Sequence, residues 1–242
     1  EHWFHKGGNP GRSGHRLSLE AGRVVIQTRE ALAEMFHGES SRQIIFASNA
    51  TDAINMALKG VLKPGDHVIT TSMEHNSVLR PLRDFEQRGG GLSIVPCTKE
   101  GFVSVERIRK EIKRETRLVV VGHVSNLTGT IQPIEEIGRI CREKGVLFMV
   151  DAAQSAGVMP IDVQKMWIDL LAFTGHKGLF GPQGTGGLYV APHVEVQPYR
   201  LGGTGSRSDS QYHPDFMPDR LEAGTLNAFG LSGLLGGVGV IK

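Results

Sequence analysis

The sequence predicts an α/β fold, a mainly parallel sheet flanked by helices, on three observations. Short apolar runs alternate with segments of helical periodicity along most of the chain. The inner runs Val119-Val120-Val121 and Val146-Leu147-Phe148-Met149-Val150 are apolar without interruption, the pattern of strands buried on both faces. Turn-forming residues separate the two kinds of segment, as in Pro64-Gly65-Asp66.

Taken in order, a helix is expected over residues 17–36, where Val24, Val25, Thr28, Leu32, Met35 and Phe36 recur at three- and four-residue intervals before Gly38. The run Ile44-Ile45-Phe46 reads as a strand, and Ile54, Met56, Leu58 and Val61 as the apolar face of the next helix. A strand over 67–70 and a helix over 78–88 follow. The alternation continues with strand 92–96, helix 105–113, strand 118–121, helix 134–144 and strand 146–150, then strands 170–173 and 187–190. Residues 202–210 read as a glycine-rich loop, and the last twenty residues as the start of a further helix.

Composition narrows the class. The 242 residues suit one large domain, expected over 1–220, with 221–242 starting a connection to a C-terminal small domain. Against 27 basic residues stand 25 acidic ones, a net charge of +2, so neither disorder nor nucleic-acid binding is indicated. Glycine, at 32 residues, is roughly twice as frequent as average. The two cysteines, Cys97 and Cys141, make neither a disulfide framework nor the close pairs of a zinc ribbon, which fits a reducing cytoplasm. His2 with His5 is too thin a constellation for a metal. No apolar run approaches the ~18 residues of a membrane span, and Glu1-His2-Trp3 does not open a signal peptide. The chain reads as a piece of a longer protein, because it has no initiator methionine and stops at Lys242 straight after an apolar stretch.

Ligands of open α/β sheets bind beyond the carboxyl ends of the strands, so polar residues just after apolar strands are the first candidates. Asp151 follows Val150 and either begins a turn or waits as a buried anion for a cation. Lys177, in Thr174-Gly175-His176-Lys177, is either surface or an amine in a desolvated place, where lysines form Schiff bases with carbonyl cofactors. A carboxylate and a lysine on two strand ends suggest pyridoxal phosphate, whose aldehyde takes the amine and whose ring nitrogen takes the carboxylate. Asn49-Ala50-Thr51 begins a helix, a place for a cap and equally for a phosphate against free N–H groups. His75, in Glu74-His75-Asn76, is a structural hydrogen-bonder or a ring-stacking proton carrier. Neither an NTPase loop nor a dinucleotide fingerprint is present.

Together, Asn49-Ala50-Thr51, Glu74-His75-Asn76, His123-Val124-Ser125-Asn126, Asp151-Ala152-Ala153-Gln154, Thr174-Gly175-His176-Lys177 and Glu222-Ala223-Gly224-Thr225 form an ordered set. In it the chain resembles the class V aminotransferase family, and within that family the cysteine desulfurases and selenocysteine lyases. The resemblance implies the large domain of a fold-type-I pyridoxal-phosphate enzyme. By it, Lys177 would hold the cofactor as a Schiff base, Asp151 would pair with the pyridine nitrogen and Gln154 with the ring hydroxyl. His75 would lie over the ring and shuttle protons. Ala50, Thr51, Thr174 and His176 would hold the phosphate, and Asn126 would sit near the ring oxygen and the substrate carboxylate. Thr225 would reach the phosphate of a neighbouring subunit, which implies a homodimer. The implied reaction removes sulfur from L-cysteine, giving L-alanine and a protein persulfide, with a sulfur-acceptor protein as a further partner.

Two departures qualify the likeness. Asn49 stands where the family more often has glycine, a change that a left-handed-tolerant asparagine absorbs. The family's cysteine loop and carboxylate-binding arginine belong to a small domain beyond Lys242, its opening strand lies upstream of Trp3, and neither Cys97 nor Cys141 matches the nucleophile. Transamination or a related lyase reaction on the same apparatus is the rival reading. A folded, noncatalytic piece with an empty cofactor site is the rival from another class. The choice between cysteine and selenocysteine, and the identity of the acceptor, are not readable from these residues.

Overall fold

The computed structural model describes residues 16–207 and 209–241. The first fifteen residues, His2 and His5 among them, lie outside the described residues. Among the described residues six α-helices and seven strands follow in the order α1 (Arg16–Met35), β1 (Ile44–Ala47), α2 (Ala50–Val61), β2 (His67–Thr71), α3 (Asn76–Gln87), β3 (Gly91–Val95), α4 (Val105–Glu111), β4 (Thr116–Gly122), α5 (Ile134–Lys144), β5 (Leu147–Asp151), β6 (Leu170–Thr174), β7 (Gly186–Val190) and α6 (Ala228–Ile241). The expected α/β class stands, with a mostly parallel sheet in the order β1-β7-β6-β5-β4-β2-β3.

Strands β3, β2, β4, β5 and β6 run parallel, and β7 lies antiparallel between β6 and β1. Because β7 reverses twice over, β1 points the same way as the parallel strands. The carboxyl ends of β1, β2, β4, β5 and β6 therefore meet on one side of the sheet. The strand order changes direction between β2 and β4, which opens a crevice beyond their ends. Every residue of β1, β2, β6 and β7 is buried, as are four of five in β5, which accounts for the lack of polar alternation in these segments.

Element ends differ from expectation for local reasons. Helix α3 begins two residues early because His75 caps it, its Nδ1 accepting from Ser77 N at 3.1 Å. Helix α4 stops at Glu111, where Ile112 turns extended, and β4 starts at Thr116, whose hydroxyl accepts from Lys113 N at 2.8 Å. Helix α5 ends as its Gly145 predicts, in the left-handed conformation with φ 66°. Helix α6 packs on α1, and its Leu231, Leu234 and Val238 enter the common core. No helix among the described residues is long and apolar enough to cross a membrane.

A buried ion pair fastens the first helix to this core. Arg29 of α1 donates through Nη1 to Glu222 Oε1 at 2.7 Å and through Nη2 to Glu222 Oε2. The same carboxylate receives Phe46 N, and the guanidinium lies 4.3 Å from the Phe46 ring centre. Burial raises the Glu222 carboxyl above its ordinary range, and Arg29 and the Phe46 amide pull against that rise.

Candidate active site

A cavity of about 340 Å³ opens at the crevice beyond the strand ends. Asn49, Ala50 and Thr51 line it from the start of α2, Thr71, Glu74 and His75 from the end of β2 and the turn after it, Gly122, Ser125 and Asn126 from the end of β4, Asp151, Ala153 and Gln154 from β5, and Thr174, His176 and Lys177 from β6. Nine of the ten residues singled out from the sequence thus share one cavity: His75, Ala50, Thr51, Asn126, Asp151, Gln154, Thr174, His176 and Lys177. Thr225 is exposed and does not line it.

Two glycines explain how the β5 and β6 turns come together. A Cβ on Gly178 would meet Ala156 O at 2.6 Å, and one on Gly157, where φ is 80°, would meet Gly178 O at 2.4 Å. The turn after Asp151 and the turn carrying Lys177 are therefore in backbone contact, and only residues without a side chain permit it.

At the head of α2, Asn49 is the cap: its Oδ1 accepts from Asp52 N at 3.0 Å, and its carbonyl accepts Ala53 N. Both roles foreseen for this segment are compatible, because the amides of Ala50 and Thr51 retain no acceptor among the described residues. They are open to an anion at the positive end of the helix dipole. Thr174 is buried and its hydroxyl pairs with His176 Nδ1 at 2.9 Å, which orients that imidazole at the rim.

The two central groups have different settings. Asp151 is 7% exposed, and its Oδ1 accepts from Ala153 N at 2.9 Å. Burial raises this carboxyl, opposed by the Ala153 amide and by the positive charges of His75 and Lys177. Asp151 is thus a buried carboxyl that also begins the following turn. Lys177, by contrast, is exposed, so the desolvated setting expected for it is not found. It stands on a turn beyond the strand, past the buried Thr174 and Gly175, and no described residue closes over it. His75 is exposed as well, and its Nδ1, held by Ser77 N and Ser77 Oγ, leaves Nε2 as the protonated nitrogen of the neutral ring.

One site group went unnoticed in the sequence. Glu74 is 9% exposed and lines the cavity, accepting from Thr71 Oγ1 at 2.7 Å and from Gly122 N at 2.9 Å. The signal was present: an acid beside His75 and three residues beyond the strand ending at Thr71, with no lysine or arginine within five residues of it. Burial, helped by the charge of Asp151, pushes this carboxyl up to about 8 against the hydrogen bonds from Thr71 and Gly122. Chemically, the cavity offers N–H groups for an anion, a carboxylate for a cation, an amine for a carbonyl carbon and an imidazole for protons.

Comparison with known proteins agrees with this geometry. Residues 1–240 match the model of the aminotransferase class-V family. A probable cysteine desulfurase of Methanothermobacter thermautotrophicus is 41% identical over 231 residues, covering 93% of this chain and 58% of that protein. The apo structure of a cysteine desulfurase from Thermococcus onnurineus NA1 superposes with a TM-score of 0.89 at 37% identity, covering 97% of this chain and 60% of that one. SspA in complex with cysteine superposes with a TM-score of 0.86 at 31% identity, covering 98% and 66%. The chain thus spans a little over half the length of the curated relative it matches.

Proposed function

The chain belongs to the class-V aminotransferase family, and from that premise we propose that its cavity binds pyridoxal 5′-phosphate and serves a cysteine desulfurase. The proposed reaction converts L-cysteine and a protein thiol to L-alanine and a protein persulfide, so that the sulfur leaves carbon for sulfur and no outside oxidant is needed. The observation that carries the reading is the joint presence, in one cavity, of a buried carboxylate, a lysine and a helix start with free amides.

These residues fit the cofactor's three functional ends. The Ala50 and Thr51 amides, with Thr51, Thr174 and His176 side chains, would hold the phosphate. Asp151 would face the ring nitrogen and Gln154 the ring hydroxyl, while Lys177 would bind the aldehyde carbon covalently. Bound there, the group supplies an electron sink for the substrate's Cα. His75, with its Nε2 proton available, would carry protons at the open face of the cavity. Asn126 would meet the substrate carboxylate.

Three finer readings follow from the resemblance. Thr225, outside the cavity, would serve the phosphate of a second copy of the chain, which makes a homodimer the working assembly. A sulfur-acceptor protein would take the persulfide. A reducing cytoplasm suits a chain in which Cys97 and Cys141 are both free. Desulfuration is preferred to transamination because the relatives at about 40% identity carry that name and a similar structure holds cysteine.

The test is spectroscopic. Pyridoxal phosphate added to the wild-type chain should give a visible band that sodium cyanoborohydride reduction fixes to one peptide, and Lys177→Ala should abolish both. A chain that binds no cofactor, or a variant that keeps the band, refutes the assignment.

A further inference from the structure

Gly122 ends β4 directly opposite Asp151 in the β4–β5 ladder, and its amide is the donor to Glu74 Oε2. A Cβ at that glycine would stand 3.1 Å from Glu74 Oε2. Two carboxyls, Glu74 and Asp151, therefore line one wall of the cavity, Glu74 bonded to the Gly122 amide and Asp151 at the position paired with Gly122 on β5. Thr71 holds the second Glu74 oxygen and is itself held by Met73 N at 3.2 Å. No ion pair to Glu74 exists among the described residues.

We propose that Glu74 is a second acid of the site, a positioning residue that acts through Asp151 to make the cavity's grip on a protonated ring nitrogen depend on pH. This rests on the cofactor reading above. While Glu74 is neutral, Asp151 is the only anion on that wall. When Glu74 ionises, near pH 8, a second negative charge strengthens the hold on any cation in the cavity. The other titratable groups around it are His75 on its own turn, Asp151 on β5, and His176 and Lys177 beyond β6. The buried His123, which follows Gly122, is lowered by burial. The start of α2 presents only Asn49, Ala50 and Thr51 to the cavity.

A purely structural role would have Glu74 pin the turn that carries His75. Glutamine separates the two roles, because its oxygen can accept from Gly122 N while its amide donates to Thr71 Oγ1, which copies the neutral acid and cannot ionise. With pyridoxal phosphate bound, the visible band of the wild type should change in two coupled steps between about pH 6 and 10. In Glu74→Gln a single step should remain, moved down by about one pH unit. Thr71→Val removes a hydrogen bond that favours the carboxylate and should move the step near pH 8 upward. In the cofactor-free chain, the urea midpoint of the wild type should fall relative to Glu74→Gln as pH rises toward 8, because the folded acid keeps a proton that the unfolded chain has lost. Superimposable band titrations, an unmoved step in Thr71→Val, or parallel urea midpoints overturn the proposal. If the wild type gives no Lys177-dependent band, the cofactor reading falls and this proposal with it.

Discussion

Glu222 and Asp151 are both buried acids near strand ends, and the protein treats them in opposite ways. Glu222 is met by the guanidinium of Arg29 in a two-pronged pair and by the Phe46 amide. Asp151 receives one amide, and the positive charges that favour its ionised form, His75 and Lys177, both sit at exposed positions. Where a buried charge serves the fold, the chain provides the counter-ion; in the cavity, on the reading proposed above, a ligand would provide it. Stability and function make different demands on the same chemical group.

That contrast can be broken by experiment. The largest effect is expected for Arg29→Ala, which strands Glu222 in the core and should cost about 3–5 kcal/mol of stability in urea unfolding. A loss under ~1 kcal/mol, the range of an exposed pair, would show that the pair is not a structural anchor. Asp151→Asn should act the other way on the cofactor-free chain, stabilising it by about 1 kcal/mol, since the amide keeps an acceptor for Ala153 N and removes an uncompensated charge. The sign of its pH dependence follows from the raised folded pKa. As pH climbs from the unfolded value of ~3.9 through the folded one, the wild type loses stability that the variant keeps, so the gain grows with pH. In a catalytically complete protein the same change should reduce turnover far more than cofactor affinity, and unchanged turnover would contradict the role given to Asp151. The smallest effect is expected at Ser155, a fully buried hydroxyl beside Gln154 with no hydrogen-bond partner among the described residues. Ser155→Ala should be neutral or stabilising by up to ~1 kcal/mol, whereas a clear loss in thermal unfolding would reveal a partner for that hydroxyl.

Much of this was legible in the sequence because it depends on local pattern. Uninterrupted apolar runs such as Val119 to Val121 announced the central strands, and Asp151 and Thr174, the polar residues straight after two such runs, pointed to the cavity. Strand order was not legible: β7 follows β6 closely, but it inserts between β6 and β1 by pairing with residues of β1 that lie 139 to 145 positions earlier, and no local signal encodes a partner so distant. The exposure of Lys177 was misjudged because neighbouring glycines signal close backbone approach, here between Gly157 and Gly178, and say nothing about what covers the adjacent side chain. Glu74 was overlooked because its importance comes from Gly122, 48 residues away, and a carboxylate beside a histidine looks like any solvated acid until the strand end across the crevice is in view. Glu222 belonged to a recognised motif, yet its buried pairing with Arg29 needed the packing of α1 to be seen.

The place of β7 also sets a timetable for synthesis. Among the described residues, β1 has β7 as its sole neighbour in the sheet, so the first described strand must wait for the last. A chain emerging from the ribosome can fold β2 to β6 in the meantime, but β1 and the helix start behind it gain their support only when Gly186 to Val190 arrive. The helix start at Ala50 and Thr51, the proposed phosphate site, is consequently among the last of these parts to take shape, and capture of a phosphate there would report that β7 has docked on β1.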